Sequence, residues 1–251
     1  MSVSNEYIIH YTKKMDTLES IILDRAFKVC YCHETISAEN ESQVGFLDSK
    51  VPMVCFTDIP FSETKKHPSS YGSYGIGFTK KWALVHKLNP VTYMAKESSL
   101  IWSVKELEKI LVKPFLDKPK ISKNDPNQYR ELLKHYNHLL GYIKNYEGYN
   151  SYTKENDFSF YNEREWRYTP SEGDAMKLFT REKDYRERPD LYNNLAEKYS
   201  LIFCIGDIAR IILKQESEKS SFLDNLKQKG IQDTDLELIR KKIITVENSF
   251  T

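Results

Sequence analysis

The residues best suited to chemistry lie in Phe160–Tyr168, FYNEREWRY. Read as a strand, alternate side chains share a face. Phe158, Phe160, Trp166 and Tyr168 then point one way, and Tyr161, Glu163, Glu165 and Arg167 the other. Carboxylates at i and i+2 stand roughly 7 Å apart along a strand. Like charges that close raise one pKa, and the neighbouring Arg167 lowers it again. Such a face suits a catalytic cleft, with Glu165 and Glu163 as its carboxylates. The competing reading is a solvated face whose Glu–Arg pair contributes little. His10 shares a strand face with Thr12, either as a site residue or as a core histidine. Tyr71 and Tyr74 flank the glycines of YGSYGIG, where they would line a groove and stack on a flat ring, or simply pack a hairpin. Glu131, His135 and His138 have ligand-like spacing, but they fall opposite the apolar stripe of their helix, so no metal is expected. No P-loop, dinucleotide fingerprint, G-x-S-x-G elbow or H-E-x-x-H is present, which removes the commonest ATPase, dehydrogenase, hydrolase and metalloprotease readings.

These residues need elements to position them. YIIHYT (Tyr7–Thr12) reads as a strand, followed by a helix with Asp16 as N-cap and Glu19 as its capping-box partner. Val51–Asp58 is a second strand, bounded by Pro60. Three of the nine glycines fall within Tyr71–Gly77, where the backbone bends or is closely approached. Thr79 caps a short helix through His86, and Val91–Met94 is a strand. Lys113–Asn127, with three prolines, reads as a loop. Tyr129, Leu132, Leu133, Tyr136, Leu139, Leu140 and Ile143 form an apolar stripe at helical period. Phe158–Thr169 is read as a strand and Arg181–Asp190 as a charged loop. A strand at Ile208–Lys214, helices at Glu216–Lys229 and Asp233–Lys242, and a strand at Ile243–Glu247 complete the chain. Strands scattered among helices without a βαβ rhythm predict an α+β fold: a small curved sheet with flanking helices, one domain over residues 1–251, and a helical insertion at about 97–147.

The chain has 251 residues, 40% hydrophobic and 29% charged, with 17 Tyr and a net charge of +1. It carries no strong basic field of the kind that binds nucleic acid non-specifically. Cys30, Cys32, Cys55 and Cys204 match neither a disulfide scaffold nor a C-x-x-C motif, so they are expected to be reduced. No apolar run approaches the roughly 20 residues of a membrane span, and no signal-peptide pattern opens the chain. A cytoplasmic protein that does not engage membranes is expected.

The runs YIIHYTKKMDTLESIILDRAF, PMVCFTDIPFSETKKHPSSYGSYGIGFTKKWA and LNPVTYM resemble the AbiGi family, well over residues 7–94 and loosely at NEREWRY. The resemblance implies a role in bacterial abortive-infection phage defence, as the antitoxin half of a two-gene pair whose partner toxin or defence protein is encoded nearby. The order His, Tyr, Tyr, Glu is also similar to NAD-dependent ADP-ribosyltransferases of the His–Tyr–Glu, DarT type. That second resemblance implies an ADP-ribosyltransferase-like fold with NAD as the cofactor and a nucleic-acid or protein acceptor. It places His10 and Thr12 on the NAD ribose, Tyr71 and Tyr74 around the nicotinamide, and Glu165, with Glu163 before it, at the oxocarbenium-like centre. The alternative is a non-enzymatic antitoxin that neutralises its toxin by direct binding.

Overall fold

In a computed structural model, which describes residues 6–36, 47–59, 72–111, 126–150, 153–171 and 179–246, the chain is α+β. Strand β1 (Tyr7–Thr12) leads into helix α1 (Met15–Asp24). Lys14, without a side-chain bond, is the N-cap, so Asp16 lies inside the first turn instead of capping it. Glu19 closes no capping box. It is fully buried and accepts from Asn225 Nδ2 at 2.9 Å and Lys229 Nζ at 2.5 Å. A long-range partner has taken the carboxylate that local pattern assigned to the cap. Arg25, in the left-handed region at φ 50°, ends the helix with its N–H on the Ile21 and Ile22 carbonyls.

Strands β2 (Ala26–Phe27), β3 (Cys30–Ile36), β4 (Leu47–Thr57) and β5 (Tyr74–Thr79) follow. Helix α2 (Lys80–Val85) is capped as expected, with Thr79 Oγ1 accepting from the Trp82 N–H at 3.1 Å. Next come β6 (Asn89–Pro90), β7 (Thr92–Met94), α3 (Ser99–Leu111) and α4 (Pro126–Leu140). The expected loop at Lys113–Asn127 lies largely outside the described residues, and its last two residues already belong to α4.

The chain then forms β8 (Ile143–Asn145), β9 (Glu147–Asn150), β10 (Glu155–Ser159) and β11 (Glu165–Tyr168). The single strand expected over Phe158–Thr169 is therefore two strands. A 3-10 turn at Phe160–Glu163 and left-handed Arg164, at φ 44°, separate them. After β12 (Thr180–Arg181), the charge run expected to be a loop is helical, as α5 (Glu182–Glu187) and α6 (Pro189–Ala196). Arg181 and Arg186 pair with Asp184 and Glu182 at helical spacing there, and Pro189 suits a first helical turn. Then come β13 (Leu201–Ile202), β14 (Ile208–Leu213), α7 (Glu218–Gln228), α8 (Asp233–Lys242) and β15 (Ile243–Thr245).

The main sheet runs β15-β14-β5-β1-β4-β11-β6, with β3 and β12 also on the long β4. Its pairs are antiparallel except β14–β15. One face carries Ile8, Phe56, Ile76, Phe78 and Trp166, buried against Leu18 and Ile22 of α1, Phe222 and Leu226 of α7 and Ile239 of α8. Each such side chain stabilises the fold by about 1.5–3 kcal/mol relative to exposure. A smaller cluster joins Ile36, Met94, Ile101, Val104, Tyr136, Leu140 and Ile143.

Helix α4 is rotated from its expected stripe. Tyr136 and Leu140 are buried, whereas Leu132 and Leu139 are 49% and 51% exposed; the side chain of Tyr129 lies outside the described residues. His138, expected on the solvent face, packs between the rings of Tyr142 and Phe179.

Candidate functional site

Strands β1 and β4 are neighbours through a single register pair, Ile9 with Thr57, and then part. The gap is a cleft of about 770 Å³, lined from β1 by His10 and Thr12, from the turn after it by Lys13 and Lys14, and from across by Glu34, Thr57, Lys144, Glu163 and Glu165. His10 Nδ1 donates across the gap to the Cys55 carbonyl at 2.8 Å.

The floor is a buried charge network. Arg167, 0% exposed, donates from Nε and Nη2 to the two oxygens of Glu165 at 2.7 and 3.0 Å. It also donates to the Gly141 carbonyl at 2.9 Å and to Glu34 at 2.7 Å. Lys144 Nζ reaches Glu165 at 3.0 Å and Glu163 at 2.6 Å, and stands over the Phe160 ring. Burial alone would push Glu165 up, but Arg167 and Lys144 outweigh it and hold the carboxyl well below the usual range. Glu163 is raised, because burial and the nearby Glu165 exceed the pull of Lys144. Lys144 is held protonated: burial opposes its charge, and Glu165, Glu34 and Glu163 more than restore it. Three carboxylates (Glu34, Glu163, Glu165) against two cations (Lys144, Arg167) leave one negative charge facing the cleft when Glu163 is ionised.

The backbone that aims these groups is equally fixed. Thr57 Oγ1 donates to the Glu163 carbonyl at 2.6 Å, and the Glu165 N–H donates to Tyr93 Oη at 2.8 Å. Left-handed Arg164 turns the chain so that Glu163, from the 3-10 turn, and Glu165, from β11, converge on one ammonium.

The sequence-derived site residues divide. His10, Thr12, Glu163 and Glu165 line one cleft. His10 and Glu165 nevertheless belong to opposite sheet faces, since Glu165 pairs with Thr57, which pairs with Ile9. The His10 ring meets the edges of Phe27 and Phe56, and burial lowers its pKa, so it is also a core histidine with its hydrogen bond satisfied. Tyr74 does not reach the cleft: its hydroxyl donates to Glu218 at 2.8 Å and its ring packs on the main core. Burial and that bond push its pKa up to about 12. Tyr71 lies outside the described residues.

The glycines, expected where the backbone bends or is closely approached, are approached by β1. A Cβ on Gly72, at φ 95°, would lie 2.3 Å from the Thr12 carbonyl oxygen, and one on Gly75 would crowd Ile9 and Tyr11. The α4 residues Glu131, His135 and His138 form no cluster able to hold a metal, and none exists among the described residues. Sequence reasoning missed Glu34, Lys144 and the thiols of Cys32 and Cys55 as site residues. They are brought in by pairings across up to 133 positions, which no local pattern carries.

Residues 25–214 match the family model described as "Putative abortive phage resistance protein AbiGi, antitoxin". The abortive phage resistance protein AbiGi of Lactococcus lactis subsp. cremoris is 24% identical over 221 residues, covering 78% of this chain and 86% of that protein. No solved structure matches. Among the described residues, no helix is long and apolar enough to cross a membrane.

Proposed function

The chain belongs to the AbiGi family, and from that premise we propose that it is a component of an abortive-infection phage-resistance system, acting on the antitoxin side of a toxin–antitoxin pair. The observation that carries this role is the extent of the family match, which takes in the charged floor of the cleft from Glu34 to Arg167. The test is made in cells. Expression of the partner gene alone should arrest growth, co-expression of this chain should restore it, and the pair together should lower phage plating. A partner that is harmless without this chain would overturn the antitoxin assignment.

A second reading concerns chemistry at the cleft. His10, Thr12, Glu163 and Glu165 line one cavity, which supports an NAD-dependent transferase acting on a nucleic-acid or protein acceptor. Departure of nicotinamide leaves positive charge on the ribose, and a fixed carboxylate in a site stripped of water stabilises it. Within this reading the carboxylates have unequal parts. Glu165 is saturated by Arg167 and Lys144 and acts as the anchor, whereas Glu163 has only Lys144 and is the better placed to face a ligand. With Tyr74 engaged by Glu218, ring stacking would fall to residues other than Tyr74.

Glu163→Gln should therefore lower transfer of labelled ADP-ribose by about 10²–10³-fold while leaving NAD-induced thermal stabilisation in place. Absence of any thermal shift with NAD in the wild-type protein would remove this reading and leave neutralisation by direct contact.

A further inference from the structure

The cleft is charged unevenly along its length. Its carboxylates, Glu34, Glu163 and Glu165, lie at the floor and are matched there by Lys144 and Arg167. Two further cations of the lining, Lys13 and Lys14, are exposed and lie at the mouth, in the turn from β1 into α1. Thr12 and Thr17, on either side of them in sequence, also line the cleft and bring hydroxyl donors. Register measures the separation of the two ends. Ile9 is level with Thr57, and Thr57 with Glu165. Lys13 stands four positions beyond Ile9, roughly 13 Å further along at the rise of a strand.

The turn that carries the lysines is braced by Gly72. A Cβ added there would stand 2.3 Å from the Thr12 carbonyl oxygen and 2.9 Å from the Lys13 nitrogen, so a side chain at this position would push the turn away. We propose that Lys13 and Lys14 hold the pyrophosphate of a nicotinamide dinucleotide whose ring end lies toward Glu163. The inference rests on the NAD reading of the cleft and adds a phosphate subsite to it. The pyrophosphate is anionic and the oxidised ring cationic. Entry ring-first sets the anion against the two ammonium groups and the cation toward the carboxylates. Entry in the reverse sense sets the pyrophosphate against the carboxylate floor. Charge alone therefore fixes the direction of entry. It also divides the work: the lysines supply binding that is equal in ground and transition states, and Glu163 acts as positive charge grows.

The test is titration calorimetry of the full chain with NAD and with ADP-ribose, at low and at high salt. Lys13→Ala/Lys14→Ala should weaken both ligands about tenfold, the scale of a lost charge-assisted contact. It should also flatten the salt dependence seen in the wild type, because the screened cations are gone. Lys13→Arg/Lys14→Arg should keep both the affinity and the salt dependence. Both side chains are exposed, so the unliganded thermal midpoint should be kept in each variant. NAD binding that survives the double alanine change, with its salt dependence intact, overturns the proposal and leaves the NAD reading standing. Failure of the wild type to bind NAD overturns both. If the double alanine variant loses a single-stranded oligonucleotide but keeps NAD, the lysines hold an acceptor's phosphates, and the proposal is overturned as well.

Discussion

Glu163 and Glu165 are two residues apart, yet their environments set them to opposite tasks. Glu165 is ionised against two cations, and removing its charge leaves a fully buried Arg167 with Glu34 as its remaining ion-pair partner and Lys144 with Glu163. Breaking a buried pair from one side costs about 3–5 kcal/mol, so Glu165→Gln should lower the unfolding free energy by that order in urea titrations. Glu163→Gln should be neutral or slightly stabilising at pH 7, because the fold penalises its ionised form. Equal losses for the two variants would refute the division. The pH dependence follows with explicit signs. The Glu165 pKa is depressed in the fold, so its contribution is present above the unfolded value near 4.3 and is lost as pH falls. The His10 pKa is also depressed, so the fold favours the neutral ring and loses stability as pH drops below about 6.5. Glu163 runs the other way, costing stability as pH rises from its unfolded value through its raised folded one. Relative to His10→Asn, the wild-type protein should therefore lose stability from pH 7 to 5. An unchanged profile in His10→Asn would count against a buried neutral imidazole.

The elements legible in the sequence are those whose signals are local. Asp233–Lys242 was readable residue for residue, and Thr79 announced α2, because periodicity and caps act within a few positions. The elements that were not legible are those settled by distant partners. Left-handed Arg164 breaks the expected long strand where Thr57, over 100 positions away, holds the Glu163 carbonyl. Helix α4 shows the same limit, since period alone does not say which edge of a broad apolar stripe meets a neighbour. Met94, Ile101 and Val104 select Tyr136 and Leu140 and leave Leu139 outside. Leu140→Ala should accordingly cost about 2–5 kcal/mol, while Leu139→Ala should stay within about 0.5 kcal/mol. Thermal unfolding of both variants decides the rotation of α4, and a reversed order would refute it. Of the candidate site, the carboxylate pair and His10 are visible as residue types; their convergence on one cleft is implied by the resemblance to His–Tyr–Glu transferases and not by any local pattern, because it depends on where β1 and β4 part.

At the scale of the whole molecule, the sheet is closed from both ends of the chain. Strand β1 pairs with β5, β5 with β14, and β14 with β15, so residues near position 8 and near position 244 share one sheet. The same continuity holds in the core: Ile8 and Phe78 belong to one cluster with Phe222, Leu226 and Ile239, the last three contributed by α7 and α8. Glu19, buried in α1, is satisfied by Asn225 of α7 and by Lys229 just past its end. The family match stops at residue 214, before Phe222, Asn225, Leu226, Lys229 and Ile239. A chain truncated after Lys214 keeps every residue of the charged floor but uncovers Ile208 and Ile211 and strands a buried carboxylate without its partners. Loss of three fully buried large side chains alone removes on the order of 5–9 kcal/mol of burial, comparable to the 5–15 kcal/mol that holds an ordinary domain folded. The truncated chain should therefore lack a cooperative thermal transition and bind a hydrophobic dye, even with its cleft residues intact. A truncated protein that unfolds cooperatively at the full-length midpoint would show that α7, α8 and β15 are an appendage, and that the cleft is carried by the first 214 residues alone.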